Sequence, residues 1–327
     1  MRALVTGSAG HLGEGLVRTL RAHGDEVVGL DVLASTYTDI VGTIEDAACV
    51  RDAMRHADVV FHAATLHKPH LVTHSRREFL ATNVTGTLTL LEEAARAQVR
   101  SFVFTSSTSA FGNALRPPAG SPAAWITEDV ISVPKNIYGV TKVAAEDLCE
   151  LFSRKLGLNC VVLRTSRFFL DADDDAGTRR DYQDLNVKAN EFLYRRVDLE
   201  DVVEAHLLGA KRAPSLRFDK FIVSATTPFQ PSDAAALRQD AAAVVEKYVP
   251  YYREVYAARG WRLYPSIDRV YSNAKARAQL GWQPKRDFGY VVDCLRRGVD
   301  PLSDLARAVG IKLYHAQEFA GGVYPVE

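Results

Sequence analysis

The chain has little of what marks the specialised classes of protein. Its 327 residues contain only four cysteines, Cys49, Cys149, Cys160 and Cys294, scattered without metal-ligand spacing, and they read as buried free thiols in a reducing compartment. There is no excess of either charge. Forty Lys plus Arg balance forty Asp plus Glu, which removes the electrostatic case for a nucleic-acid or anionic-membrane partner. No apolar run approaches the length that spans a bilayer, and the first residues read as a strand rather than a cleavable leader, so a cytoplasmic location is expected. Repeats, heptads and low-complexity tracts are absent. What remains is a chain that is 47% hydrophobic and 24% charged, long enough to bury one large core or two closely joined ones.

The most informative positive feature lies at residues 4–13, Leu-Val-Thr-Gly-Ser-Ala-Gly-His-Leu-Gly. An apolar strand runs into a loop carrying Gly7, Gly10 and Gly13, after which the apolar spacing is that of an amphipathic helix ending near His23-Gly24. Glycine at these places permits a sharp turn, close approach of a pyrophosphate to the backbone, and tight packing of helix on strand. The helix then turns its free N–H groups, beginning around His11 and Leu12, toward the negative charge. A second strand, Glu26 to Leu30, ends at Asp31, where a carboxylate meets the hydroxyls of an adenosine ribose. Strand, loop, helix, strand and acid in register predict dinucleotide binding, and the acid favours NAD over NADP because it repels the extra phosphate.

Further along, short strands alternate with helical patterns: Ile40-Val41, a helix 46–56, a strand 58–62, a helix 83–97, a strand 101–105, a helix 138–156 and a strand 159–163. This predicts an α/β fold with a doubly wound parallel Rossmann sheet. The expected organisation is a nucleotide-binding domain over residues 1–165, with segments near 195–225 returning to it. A smaller mixed α/β substrate domain is expected over 166–327. That second half holds an acidic run at Asp171 to Asp175, an alanine-rich helix from Asp233 to Lys247, an aromatic run from Tyr248 to Tyr256 that reads as core, and a short helix 275–280. No role is legible for the tail from Tyr314 to Glu327.

Tyr138 and Lys142 are four residues apart, so on a helix they share a face. A phenol's ordinary pKa of about 10 is too high for a base near neutrality, and an adjacent ammonium, helped by a positively charged nicotinamide, favours phenolate and lowers it, which makes the pair a general acid/base for a carbinol or carbonyl. The segment Phe104 to Gly112, rich in Ser and Thr, follows a sheet strand, where open α/β sheets bind ligands. A hydroxyl there would hold the substrate oxygen that Tyr138 protonates.

In these motifs the chain resembles the extended short-chain dehydrogenase/reductase family, whose members include nucleotide-sugar epimerases and dehydratases. The resemblance rests on Thr6-Gly7-x-x-Gly10-x-x-Gly13, Asp31, His62-Ala63-Ala64, Asn83-Val84-x-Gly86-Thr87, Ser106-Ser107 through Phe111-Gly112, Tyr138-x-x-x-Lys142 and Leu163-Arg164. It extends through Val197-Asp198-x-x-Asp201-Val202 and Leu280-Gly281-Trp282-x-Pro284. It implies that Tyr138 is the catalytic acid/base and that Lys142 holds the nicotinamide ribose. Ser107 is the implied hydroxyl partner, with Ser106 and Thr108 within one position of slip. Ala63 and Ala64 would lie backbone-on against the cofactor, Asp31 would bind the adenosine ribose, and Asn83 would be structural. A homodimer through the helices around Asn83 and Tyr138 is also implied.

Departures from the family pattern bear on the substrate. Thr108-Ser109 stand where the dehydratases carry an Asp-Glu pair, which disfavours 4,6-dehydration. After Arg164 the chain reads Thr165-Ser166-Arg167-Phe168-Phe169 in place of the usual Asn, and the stretch to Arg195-Arg196 is short for a nucleotide-binding insert. Asn186, Lys188, Asn190, Arg195 and Arg196 could line a compact polar pocket. Arg167 either grips a carboxylate or phosphate or pairs with the acidic run. His67, His70 and His74 invite a metal reading, but Pro69 interrupts a helix and no cysteine or carboxylate completes a site, so no metal is expected and the segment reads as a loop over the substrate with one polar contact, His67 or Lys68. The expected activity is NAD-dependent epimerisation of a nucleotide sugar. Alternatives are dehydrogenation of a smaller polyhydroxylated or carboxylated substrate, and a binding protein that senses the dinucleotide without chemistry.

Overall fold

In a computed structural model the described residues are 1–312; the tail from Tyr314 lies outside them. Among the described residues there are nine strands: β1 (Arg2–Thr6), β2 (Glu26–Asp31), β3 (Ile40–Val41), β4 (Val59–His62), β5 (Ser101–Ser107), β6 (Ala124–Ile126), β7 (Cys160–Thr165), β8 (Phe218–Val223) and β9 (Arg269–Tyr271). Seven of them form one sheet in the order β3-β2-β1-β4-β5-β7-β8, and every pairing in it is parallel. β6 and β9 form a separate parallel pair.

The strands are short, continuous apolar runs because both faces of the sheet are covered. Alternation along the strands sends Ala3, Val5, Phe61, Val103, Val161 and Leu163 to one side, where they pack with Leu12, Leu16 and Leu20 of the helix His11–Ala22. Leu4, Val60, Phe102, Phe104 and Val162 go to the other, against the helices Gly86–Arg96 and Ile137–Leu156. A sheet-order reversal falls at β1 and β4, so the loops after these strands diverge and leave a crevice at their carboxyl ends.

The chain returns to the sheet through the helix Leu199–Leu216 and β8. Trp282 explains part of the Leu-Gly-Trp motif. Its ring is fully buried in the core beneath that helix, its Nε1–H donates to the Asp201 carbonyl at 2.9 Å, and the Asp201 carboxylate accepts from the Lys285 and Arg286 amides. A third core gathers Phe192, Leu193, Tyr252, Tyr256 and Phe288, so the aromatic run is packing.

Some boundaries move from expectation for local reasons. The alanine-rich helix is broken at Asp240, whose φ is −150° and whose carboxylate caps the next helix through the Ala243 amide. The helix after β3 covers only Ala47–Ala53, capped by Asp46. Residues 81–85 form a π-helical turn before Gly86–Arg96. Among the described residues no helix is long and apolar enough to cross a membrane.

Candidate active site

A cavity of about 800 Å³ opens along the carboxyl ends of the sheet strands and takes in both the glycine loop and the Ser/Thr-rich segment. In its nucleotide half each glycine has a separate reason. A Cβ on Gly13 would sit 1.9 Å from the Gly7 carbonyl oxygen, so the helix could not approach the loop. One on Gly7, whose φ is +73°, would meet the Ala64 amide at 2.7 Å, which ties the Ala63-Ala64 backbone to the loop. One on Gly10 would meet only the Gly7 carbonyl, at 3.3 Å; its remaining side faces the cavity. His11 and Leu12 begin the helix, and His11 is held neutral, its pKa lowered to about 4 by burial and by the Lys312 charge. A cradle that leaves no room for side chains, aimed at a helix N-terminus, fits a dinucleotide pyrophosphate.

Asp31 ends β2 on the cavity wall, but its carboxylate is partly committed. Oδ2 accepts from the Ala9 amide and Oδ1 from the Leu33 amide, both at 2.9 Å. The acid therefore braces the glycine loop as well as facing the place expected for a ribose. Sequence reasoning missed this second role; the only signal for it was the chain reversal that the loop itself requires.

The chemical half is built by β5 and the helix Ile137–Leu156. Asn136 caps that helix by accepting from the Gly139 amide at 3.1 Å, which sets Tyr138 in the first turn. Tyr138 and Lys142 are both almost wholly buried and both border the cavity. The Lys142 ammonium donates to the Thr105 carbonyl at 2.8 Å and lies 5.9 Å from the centre of the Tyr138 ring. Burial pushes the Tyr138 phenol well above its ordinary pKa, and only its hydrogen bond with Ser107 draws it back. This differs from the sequence expectation of a lysine-lowered phenol, because desolvation dominates in so closed a place. Burial also lowers Lys142, to about 7, with Glu146 acting the other way.

The structure separates the three adjacent hydroxyls. Ser106 donates to the buried Glu146 at 2.6 Å, which is itself held by Arg164. Ser107 accepts from the Ser109 amide at 3.1 Å and interacts with Tyr138. Thr108 starts the short 3-10 turn that follows and also borders the cavity. Asn83 crosslinks the loop after β4 to the catalytic helix, accepting from the Leu66 amide and donating to the Leu66 carbonyl and the Thr141 hydroxyl.

On the substrate side the expected residues divide. His67 is brought to the centre, with its ring 5.0 Å from that of Tyr138 and 5.6 Å from that of Phe169. Arg167 borders the cavity, but its guanidinium is engaged by Asp173, Asp174 and Glu191. Burial opposes ionisation of Glu191, yet Arg167, Arg195 and Arg196 hold its pKa at about 2. Arg196 is spent on Glu191 and the Phe169 carbonyl. Asn186 and Asn190 are buried, bonded to the Arg262 backbone, with Asn190 also accepting from Tyr256. None of these last three borders the cavity. Helical spacing in the sequence could show that Asn186 and Asn190 share a face, but not that the face turns toward Tyr256 and the third core. Ser166, which sequence reasoning did not single out, borders the cavity with a buried hydroxyl that has no hydrogen-bond partner among the described residues.

These features are those of an enzyme class, and comparison with known proteins places the chain in it. The sequence profile of the NAD dependent epimerase/dehydratase family matches residues 3–189, and the chain belongs to that family. It is 26% identical over 324 residues to a UDP-glucose 4-epimerase from Lactobacillus helveticus, covering 88% of this chain and 93% of that one. It is 30% identical over 171 residues to a UDP-glucose 4-epimerase from Erwinia amylovora, where it spans 47% of this chain and about half, 49%, of the relative. A short-chain dehydrogenase/reductase from Agrobacterium tumefaciens, solved with bound NAD, shares the fold with a TM-score of 0.65 at 24% identity, over 91% of this chain and 98% of that one.

Proposed function

We propose that the protein is an NAD-dependent epimerase of a nucleotide sugar, working by Tyr138-assisted proton transfer. The observation that carries this reading is the convergence of Ser107, Tyr138 and Lys142 on the same cavity as the glycine cradle. The residues Gly7, Gly10, Gly13, His11, Leu12, Asp31, Ala63 and Ala64 would hold the dinucleotide, which when bound supplies a hydride acceptor and donor.

Tyr138 is protonated in the buried, unliganded site, so it has a proton to give to a carbonyl oxygen and, as phenolate, takes one from the carbinol in the reverse direction. Ser107 orients the substrate oxygen toward it. Lys142, lowered to about 7 by burial, supplies in its protonated form the positive charge that favours phenolate when the substrate's proton leaves. His67 and the Phe169 ring wall the reacting centre and exclude water from it.

Support for the epimerase reading comes from the UDP-glucose 4-epimerases among the relatives, the two named above included. A second reading, dehydrogenation of a smaller polyhydroxylated or carboxylated substrate, is favoured by the compact Ser166 to Phe169 segment, in which Phe169 closes against His67. A sensor without chemistry has no use for the Ser107–Tyr138–Lys142 set. A homodimer is part of the proposal, supported by Leu80, Val140 and Leu151, which are exposed on the helices at issue. So is a cytoplasmic location.

The deciding experiment incubates the protein with NAD and a panel of nucleotide sugars, sugar acids and hydroxy acids, following NADH absorbance and product stereochemistry together. A new stereoisomer without net NADH is expected. Net NADH moves the assignment to the dehydrogenase, and no turnover with any substrate sinks both.

A further inference from the structure

The last described residues return from the far end of the chain to the first turn of the helix His11–Ala22. The helix Asp304–Val309 packs Ala306 and Val309 into the same core as Leu12, Leu16 and Leu20. Ser303 caps it through the Ala306 amide and donates its own amide to Asp198. Three residues beyond that helix, the Lys312 amide donates to His11 Nε2 at 3.1 Å, and its ammonium forms an ion pair with Glu14.

Glu14 makes this arrangement informative. It lies in the helix turn that a pyrophosphate would approach, and it is only 3% exposed. A buried carboxylate there repels phosphate unless it is neutralised. Arg18 takes one oxygen at 2.7 Å and Lys312 takes the other. Two cations against one acid leave a positive charge in excess, and Lys312 borders the cavity. Asp31, at the end of the second strand, and Glu45, just after the third, border the same cavity and are acids.

We propose that Lys312 is a cofactor-binding residue: the cation, delivered by the C-terminal segment, that meets the dinucleotide pyrophosphate beside the glycine loop. This rests on the placement of the dinucleotide given above and adds a contact from a part of the chain outside the family profile, which ends at residue 189. A lysine is suited to the task because its ammonium carries three donors and can serve Glu14 and a phosphate oxygen together.

The test is titration of the full chain with NADH and with ADP-ribose, in wild type, Lys312→Met, Lys312→Arg and Glu14→Gln, with a melting curve for each protein alone. Loss of one charge-assisted contact makes both ligands bind about tenfold more weakly in Lys312→Met. Lys312→Arg retains wild-type binding. Glu14→Gln, which releases the ammonium toward the phosphate, binds as tightly as wild type or tighter. If Lys312→Met binds like wild type, or if Glu14→Gln weakens binding as much as Lys312→Met does, the ion pair is a structural staple and the proposal is overturned. If wild type binds neither ligand, the placement of the dinucleotide fails first.

Discussion

Gly10 and Gly13 are three residues apart in one loop, yet alanine at each should fail for different reasons. At Gly13 a Cβ would lie 1.9 Å from the Gly7 carbonyl oxygen, 2.5 Å from its carbon and 2.8 Å from the Ser8 Cα. All three are backbone atoms, which cannot swing aside as a side chain can. Overpacking of this kind costs roughly 1–3 kcal/mol, and so close a backbone contact belongs at the upper end; Gly to Ala in a helix returns about 0.5–1 kcal/mol. The net for Gly13→Ala is therefore a loss of about 2 kcal/mol without any ligand. At Gly10 the backbone is extended, with φ −79° and ψ 171°, and the only near atom is 3.3 Å away. Gly10→Ala should leave the unliganded protein within about 0.5 kcal/mol of wild type, since no buried contact is lost. Its methyl group projects to the side from which a pyrophosphate approaches, so NADH affinity should fall at least tenfold. Urea unfolding of the two unliganded variants and fluorescence titration with NADH read the two effects separately. Equal destabilisation of both variants, or normal NADH binding by Gly10→Ala, refutes the division of labour.

Three further outcomes are expected. Tyr138→Phe should lower turnover by about 10²–10⁴-fold while NADH binding is unchanged; a variant that turns over normally sinks the proton-transfer role. Lys142 has its pKa lowered from 10.5 to about 7 by burial. Between these values the unfolded chain binds a proton that the folded chain does not, so this group's contribution to stability rises with pH across the window and is lost as pH falls through it. That pH-dependent increment should be missing from urea unfolding of Lys142→Met. Removing Arg167 strips one cation from Asp173, Asp174 and Glu191 while Lys68, Arg195 and Arg196 stay paired with them, so Arg167→Ala should destabilise the fold by about 1–3 kcal/mol. Unchanged stability with a raised KM would instead assign Arg167 to the substrate.

The parts of this protein legible in its sequence are those set by short-range rules. The glycine spacing announced a turn, a close approach and a helix start within ten residues, and the structure explains Gly7 and Gly13 by the backbone atoms their Cβ would meet and Gly10 by the cavity it faces. Tyr138 and Lys142 share a face through helical periodicity alone. Strands β1, β4, β5 and β7 could be read as doubly covered because their apolar runs are short and unbroken. Where a helix ended was less legible, since it depended on single polar side chains such as Asp46 and Asp240 choosing to cap.

Long-range partnerships stayed hidden for a physical reason: a charged or amide side chain is the same in sequence whether it faces ligand or protein. Arg167, Arg196, Asn186 and Asn190 are all polar enough to line a pocket. The tertiary structure pairs Arg167 and Arg196 with Glu191, and Asn186 and Asn190 with Arg262. Burial likewise reversed the expected shift of Tyr138, because desolvation depends on how completely the surrounding chain closes. Sequence thus determined the dinucleotide fold, and picked out the residues of the proposed site, through local pattern, whereas only tertiary structure decided which charges neutralise one another. It alone brings Lys312 to Glu14, across nearly the whole length of the chain.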